Sequence, residues 1–290
     1  MALNFFNRQK ATAVQSIRFG EGNIWKIIIE STLSTLFIET REPEKRQVKF
    51  HAVDLKNKKA IWEYTDTEER WWLGLEDALP NAVLIHGYRN PKFPDHKGLI
   101  ALDPVRGKIL WKNPNWTFIN KSGSAVLVST EKEDTVLLLD PKNGTVHQEM
   151  SAPEAPAPSE AASPKVMTGQ AISTDNGTYE KIKSLVVERT QLHLIEEINY
   201  LEHNGHIIIS FYVLDHISND VTKAVANPGQ DSNNNVLTHM LWILDKDGNQ
   251  KILNTLGKNL KGISSDPFFV FDNMVIFLAD KNELMIYGLE

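Results

Sequence analysis

The hydrophobic pattern of this chain is a succession of short apolar runs, each cut off by an Asp and followed by a tight turn. Gly98 to Asn113 reads GLIALDPVRGKILWKN: one apolar run ends at Asp103, Gly107 interrupts the chain, and a second run reaches Trp111. The same order appears in DLKNKKAIW from Asp54 to Trp62, in DPKNGTVHQ from Asp140 to Gln148, and in WILDKDGNQKIL around Asp245. Runs this short, bounded by Asp, Asn and Gly, predict strands joined by hairpins. The Asp side chain accepts hydrogen bonds from backbone N–H groups ahead of it, and Gly or Asn takes the positive φ that the turn demands. After the turn, Ala60, Ile61 and Trp62, like Ile109, Leu110 and Trp111, restart a strand whose large aromatic covers the flank of a neighbouring sheet.

Two further strands fit between successive hairpins, so each unit is four-stranded. The first unit is expected at Ile24–Ile29, Leu33–Arg41, Val48–Leu55 and Ala60–Tyr64, and the second at Trp71–Leu75, Ala82–Tyr88, Gly98–Asp103 and Lys108–Lys112. The third takes Thr117–Asn120, Ala125–Thr130, Thr135–Asp140 and Thr145–Met150, and the fourth Glu197–Leu201, His206–Leu214, Thr238–Asp245 and Gln250–Thr255. The fifth has only Pro267–Phe271, Met274–Ala279 and Glu283–Gly288, and the N-terminal AVQSIRFG, Ala13–Gly20, is left to supply its outer strand. Closure between the chain ends leaves only short, protected edges. The expected fold is all-β, a single β-propeller domain over residues 1–290 with five four-stranded blades; a degenerate sixth between Asp140 and Asp245 is the alternative.

The ALDPVRGKILW type of repeat resembles the tryptophan-docking repeats of quinoprotein-like propellers. Through FIETREPEKRQVKFHAVDL, IHGYRNPKFPDHKGLIALD and INYLEHNGHIIISFY, the chain is also similar to an uncharacterised bacterial propeller-like family of unknown function. The first resemblance implies a propeller and is shared by scaffolds and enzymes; the second brings no known activity.

Composition narrows the function classes. A formal net charge of −6 supplies no basic footprint for a phosphate backbone, so no nucleic-acid partner is expected. The start, MALNFFNRQKATAVQ, lacks the apolar stretch of about 7 to 15 residues of a secretory signal, and no run approaches the roughly 18 apolar residues of a membrane span. A cytoplasmic protein without membrane attachment is the expectation. Zero Cys removes disulfides, thiolate metal sites and a cysteine nucleophile. No phosphate-binding glycine loop, HExxH pair or nucleophile elbow is present, and no cofactor or metal is expected.

Strand order places the functional face. The long connections REPEKRQ, RNPKFPDHKG, DHISNDVTKAVANPGQDSNNNV and the stretch from Ser151 to about Glu196 all emerge on one face, opposite the Asp turns. Loops on a rigid scaffold carry binding more often than the scaffold does. Within the 151–190 insertion, SAPEAPAPSEAASP (Ser151–Pro164) reads as a flexible linker. Thr178–Arg189 reads as a helix capped by Thr178, with Ile182, Leu185 and Val186 on one side; it is either a lid over the long-loop face or a patch on the side of the barrel. Candidate binding residues are Glu39 and Arg41, His86 and Tyr88, each pair sharing one side of a strand that runs toward this face, and Asn199 and Tyr200 in the innermost strand of the fourth unit. Trp71 and Trp72 line or fill the channel. His203 and His206 face one another across an Asn204-Gly205 turn but lack an evident third ligand, and DKDGNQ at Asp245 is a turn, its Gly falling too early for a calcium loop.

The expected function is a non-catalytic binding or protein-interaction propeller that uses the long-loop face for an unknown protein or small-molecule ligand. A hydrolase-like enzyme with Glu39, Glu197 and Asp266 as a carboxylate or metal site at the channel mouth is the alternative, and whether the chain is an enzyme stays open.

Overall fold

The computed structural model describes residues 14–90, 92–93, 95–132, 134–152, 166–214, 236–263 and 267–289. The strands are β1 (Gln15–Arg18), then sheet one, β2 (Asn23–Glu30), β3 (Thr35–Glu42), β4 (Gln47–Asp54) and β5 (Lys59–Tyr64). Sheet two holds β6 (Leu73–Leu79), β7 (Ala82–Tyr88), β8 (His96–Leu102) and β9 (Ile109–Asn113), and sheet three β10 (Thr117–Ser122), β11 (Ala125–Ser129), β12 (Thr135–Leu139) and β13 (Val146–Ser151). Two short strands, β14 (Val166–Thr168) and β15 (Gln170–Ile172), and the helix α1 (Gly177–Thr190) precede sheet four, β16 (Leu194–His203), β17 (His206–Leu214), β18 (Leu237–Leu244) and β19 (Gln250–Leu260). Sheet five is β20 (Phe268–Phe271), β21 (Met274–Asp280) and β22 (Glu283–Gly288), with β1 beside β22 as its outer strand.

Neighbouring strands in sheets one to three follow chain order and are antiparallel, as the repeat predicts. The chain is therefore all-β, with the five antiparallel sheets that five blades require, and the interval from Asp140 to Asp245 holds no sixth four-stranded sheet among the described residues. It divides into two compact units, Ile17–Lys165 with sheets one to three, and Val166–Glu290 with the N-terminal residues to Ser16.

Inside the Ile17–Lys165 unit, the second strand of a blade is covered on both faces: every residue of β3 except Glu42 is buried. Phe37, Val48 and Phe50 of sheet one pack on Leu73, Leu75, Val83 and Ile85 of sheet two, and Leu84, Leu99 and Ala101 of sheet two pack on Val126, Val128 and Leu139 of sheet three. The Asp turns close as expected. Asp103 Oδ1 accepts from the N–H groups of Val105 and Arg106 at 2.8 and 2.9 Å, and Asp54 Oδ1 from those of Lys56 and Asn57. Gly107 and Gly144 take positive φ; in the first turn this conformation falls on Lys58 rather than Asn57.

Two tryptophans lock sheets one and two to the Asp turn of the following sheet. Trp62 Nε1 donates to Pro104 O and Trp111 Nε1 to Pro141 O, both at 2.8 Å. The Trp62 ring lies flat against Gly107, where a Cβ would come within 2.6 Å of it. Gly107→Ala is thus expected to cost about 3 kcal/mol, from a left-handed φ of 65° and from overpacking against the indole. Gly123 has a similar φ with open space around it, so Gly123→Ala should cost only about 1 kcal/mol. Urea unfolding of the two variants checks this, and equal costs would mean that the indole yields freely.

In the other unit, the strands β14 and β15 depart from the repeat. β14 adds to the β20 edge of sheet five and β15 to the β16 edge of sheet four, with Gly169 joining them; a Cβ there would meet Asn199 and Phe268 at 3.0 Å. The helix packs Tyr179, Ile182 and Val186 on Leu194, Ile198, Phe211 and Trp242, so it covers one face of sheet four. Its cap is Asn176, two residues before Thr178, and the Asn176 side chain accepts from the Thr178 N–H at 2.8 Å. No described helix is long and apolar enough to cross a membrane. The expected linker at 151–164 lies outside the described residues from 153 onward.

Candidate functional site

Residues from the long-loop end of sheets one and two build an aromatic groove of about 500 Å³, lined by Trp25, Arg41, Trp71, Trp72, Tyr88 and Phe93 among others. Its shape starts with acidic side chains folding the connection between β5 and β6. Asp66 Oδ1 accepts from the N–H groups of Glu68 and Glu69 at 2.8 and 3.0 Å, and Tyr64 donates its hydroxyl to Asp66 Oδ2 at 2.7 Å. Glu69 Oε1 then accepts from the N–H groups of both Trp71 and Trp72. These bonds present the two indoles edge to face, 6.4 Å apart, with Tyr88 edge-on to Trp72 at 6.1 Å. Trp25 is 69% and Phe93 59% exposed, an unusual display for side chains of this size.

Glu39 and Arg41 lie together behind this surface as an ion pair. Arg41 Nε donates to Glu39 Oε1 at 2.6 Å, and the guanidinium also donates to the carbonyls of Trp71 and Leu73 at 3.2 and 2.6 Å. Glu39 Oε2 accepts from the Leu75 N–H at 2.7 Å. Both carboxylate oxygens are thereby engaged, and the pair ties β3 to the start of β6. The outer face of the guanidinium remains against Trp25 and Trp71, 5.6 and 5.2 Å from their ring centres.

His86 and Tyr88 meet two residues that the sequence reading passed over. A bulge in β6 breaks the register between Leu75 and Asp77 at Glu76, whose carboxylate lies against β7, and Gly74, opposite His86, leaves room for the imidazole. His96 comes from the start of β8. The His86 and His96 rings stack with centres 3.5 Å apart, Tyr88 packs edge-on to both, and the two Nδ1 atoms lie 2.8 and 2.9 Å from Glu76 Oε2. The His86 contact falls outside hydrogen-bond geometry, so this buried ring has no hydrogen bond at either nitrogen. Burial opposes ionisation of Glu76, but the adjoining His86, then His96 and Lys26, outweigh it and hold the carboxyl below the usual range. Burial and the neighbouring His86 hold His96 below the ordinary histidine value.

Asn199 and Tyr200 belong to the Val166–Glu290 unit. They do not form the innermost strand of their blade, because β15 pairs along it and sets Ala171 against Asn199 and Gln170 against Tyr200. Asn199 is buried; burial, and then the bond of its hydroxyl to Glu202, pushes Tyr200 up to about 12. His203 and His206 face one another across the predicted turn, yet each is turned to a backbone carbonyl, His203 to Asp272 O and His206 to Asn204 O. In the alternative carboxylate trio, Glu39 is committed to Arg41 and Leu75, and Asp266 lies outside the described residues.

Residues 29–111 match a family described as a domain of unknown function, DUF4905. No curated protein matches the chain. Among solved structures, the chain is similar to BamB from Moraxella catarrhalis at 12% identity, covering 96% of this chain and 99% of that one with a TM-score of 0.33. It is also similar to a Myceliophteria thermophila Cps50 (Swd1) β-propeller domain at 12% identity, with 95% and 99% covered and a TM-score of 0.33. Kluyveromyces lactis Hsv2 follows at 12% identity, with 93% and 75% covered and a TM-score of 0.29. Likenesses this distant carry no argument about ligand or activity.

Proposed function

We propose that this protein is a non-catalytic binding propeller that grips a segment of a partner protein in the aromatic groove on its long-loop face. The observation that carries the reading is the display of Trp25, Trp71, Trp72, Tyr88 and Phe93 around the Arg41 guanidinium. Trp, Tyr and Arg are the residues on which protein interfaces concentrate their binding energy, and exposed apolar patches of this kind mark interaction sites. The groove is also pre-organised: Asp66 and Glu69 fix the Trp71–Trp72 backbone, and the Glu39–Arg41 pair fixes what lies behind it, which lowers the ordering cost of association. The docking of Trp62 and Trp111 on the next turn supports reading the scaffold as a tryptophan-docking repeat.

The test is quantitative affinity capture from the protein's own host, comparing the intact chain with Trp25→Ala and Trp71→Ala, alongside native mass spectrometry of the gently purified protein. A partner retained by the intact chain, and bound about 30-fold more weakly by either variant at unchanged thermal stability, is expected. A retained small molecule lost in the same variants would assign the groove to that ligand class instead. Partners held equally by all three proteins would remove the groove from the function.

A further inference from the structure

We propose that Glu76, His86 and His96 bind a divalent transition-metal ion of the zinc type, one ligand from each of the adjacent strands β6, β7 and β8. This goes beyond the groove reading and stands independently of it. The three candidate ligand atoms lie within 4.8 Å of one another, and Glu76 Oε2 is 2.8 and 2.9 Å from the two imidazole Nδ1 atoms. Two local features of the chain create the cluster. Glu76 sits at the β6 bulge with its carboxylate against the imidazoles, and Gly74 clears the space that the His86 ring fills.

The second observation is His86 itself. Its side chain is more than nine-tenths buried, its Nδ1 meets Glu76 Oε2 at 2.8 Å outside hydrogen-bond geometry, and its Nε2 has no hydrogen-bond partner. A buried polar group left unpaired is costly, and unpaired groups in a well-formed core call for an explanation. A metal ion on Nδ1 accounts for one of the two nitrogens, because a neutral imidazole with its proton on Nε2 offers Nδ1 as a lone-pair donor. With two imidazoles and one carboxylate the donor set is mixed N and O, which suits zinc and its neighbours and suits magnesium or calcium poorly. Three protein ligands also leave room for a water or a ligand atom on the ion.

Two features shape how the ion would bind. The stacked rings must splay from their 3.5 Å separation for both Nδ1 atoms to converge on one centre. His96, at the start of β8 with its side chain 34% exposed, is the more accessible of the two imidazoles and the one placed to move. Lys26, whose ammonium donates to the carbonyls of Leu75 and Glu76, adds an unfavourable charge, so the two imidazoles rather than the carboxylate alone must hold the ion.

The test uses the full chain after removal of adventitious metal with a chelator, titrated with zinc by calorimetry and with cobalt by visible absorption. One equivalent is expected, with cobalt bands that zinc bleaches and magnesium leaves unchanged. Glu76→Gln and His96→Asn should each weaken zinc by at least about tenfold while leaving the metal-free unfolding midpoint near that of the intact chain. Both sites are more accessible than His86, so the test does not depend on whether His86→Asn folds. Trp71→Ala should retain the ion, which separates this site from the groove. Absence of saturable zinc binding overturns the proposal. So does zinc binding that survives both substitutions or is lost only in His203→Asn.

Discussion

Glu39→Ala is expected to destabilise the Ile17–Lys165 unit by about 3–5 kcal/mol, the largest single-residue effect we anticipate. The magnitude follows from what is left behind. Glu39 is 1% exposed, and its removal strands the Arg41 guanidinium in a buried position while depriving the Leu75 N–H of its acceptor. Arg41 keeps its bonds to the Trp71 and Leu73 carbonyls, but these carry no compensating charge. Glu39→Gln retains an acceptor and should cost less. The double variant Glu39→Leu, Arg41→Met should recover part of the loss, because an apolar pair removes the stranded charge; recovery is incomplete because two carbonyls lose their donor. Urea unfolding followed by tryptophan fluorescence reads all three. A cost for Glu39→Ala below about 1 kcal/mol would mean that water reaches the pair, and the brace behind the groove would lose its energetic basis.

That pair shows what the sequence displays and what it conceals. Alternation along β3 places Glu39 and Arg41 on one side of a strand, so their proximity was readable; the partners Leu73 and Leu75 come from the next blade and were not. The Asp-turn repeat was legible because its chemistry is local, each Asp binding N–H groups two or three residues ahead. The same locality located the blade strands to within a few residues, the N-terminal outer strand included. β14 and β15 were illegible because three-residue strands have no periodicity to detect, and their pairing is decided by open edges on β20 and β16. Periodicity found α1 but left its position open, and packing against Ile198, Phe211 and Trp242 resolved it as a cover for a sheet face. Glu76 was missed for a related reason. Its partners His86 and His96 come from β7 and β8, and nothing in its own stretch of sequence shows them. Trp25 and Phe93 could have been noticed as large aromatics beside charged loop residues, yet a single exposed aromatic in a sequence carries no sign of its exposure.

Stability should fall steeply on mild acidification, well before the carboxylates titrate, and two buried histidines set the window. His51 bonds Thr40 Oγ1 through Nε2 at 2.9 Å, and His239 bonds Ser210 Oγ through Nε2 at 2.5 Å while stacking on Tyr212. Burial holds each ring down to about 4, with Glu63 opposing and Lys49 assisting at His51. An unfolded chain returns both to about 6.5. Above that pH the rings are neutral in both states and contribute no pH dependence. Below it the unfolded chain takes up protons that the folded one refuses, so stability drops as pH falls from about 6.5 to about 4 and then levels off with respect to these groups. At pH 5 the loss is roughly 2 kcal/mol for each histidine, felt by the Ile17–Lys165 unit through His51 and by the Val166–Glu290 unit through His239. Asp54, Asp66 and Asp103 lie below the ordinary carboxylate range, so their contributions vanish only under stronger acid. The measurement is the urea midpoint between pH 8 and 4.5 for the intact chain, His51→Gln and His239→Gln. Each substitution should flatten the slope below pH 6.5 by up to one proton per unit, whatever it does to stability at pH 8. An unchanged slope, or a ring that NMR finds titrating near 6.5 in the folded protein, would show that the imidazole is solvated and that acid acts elsewhere.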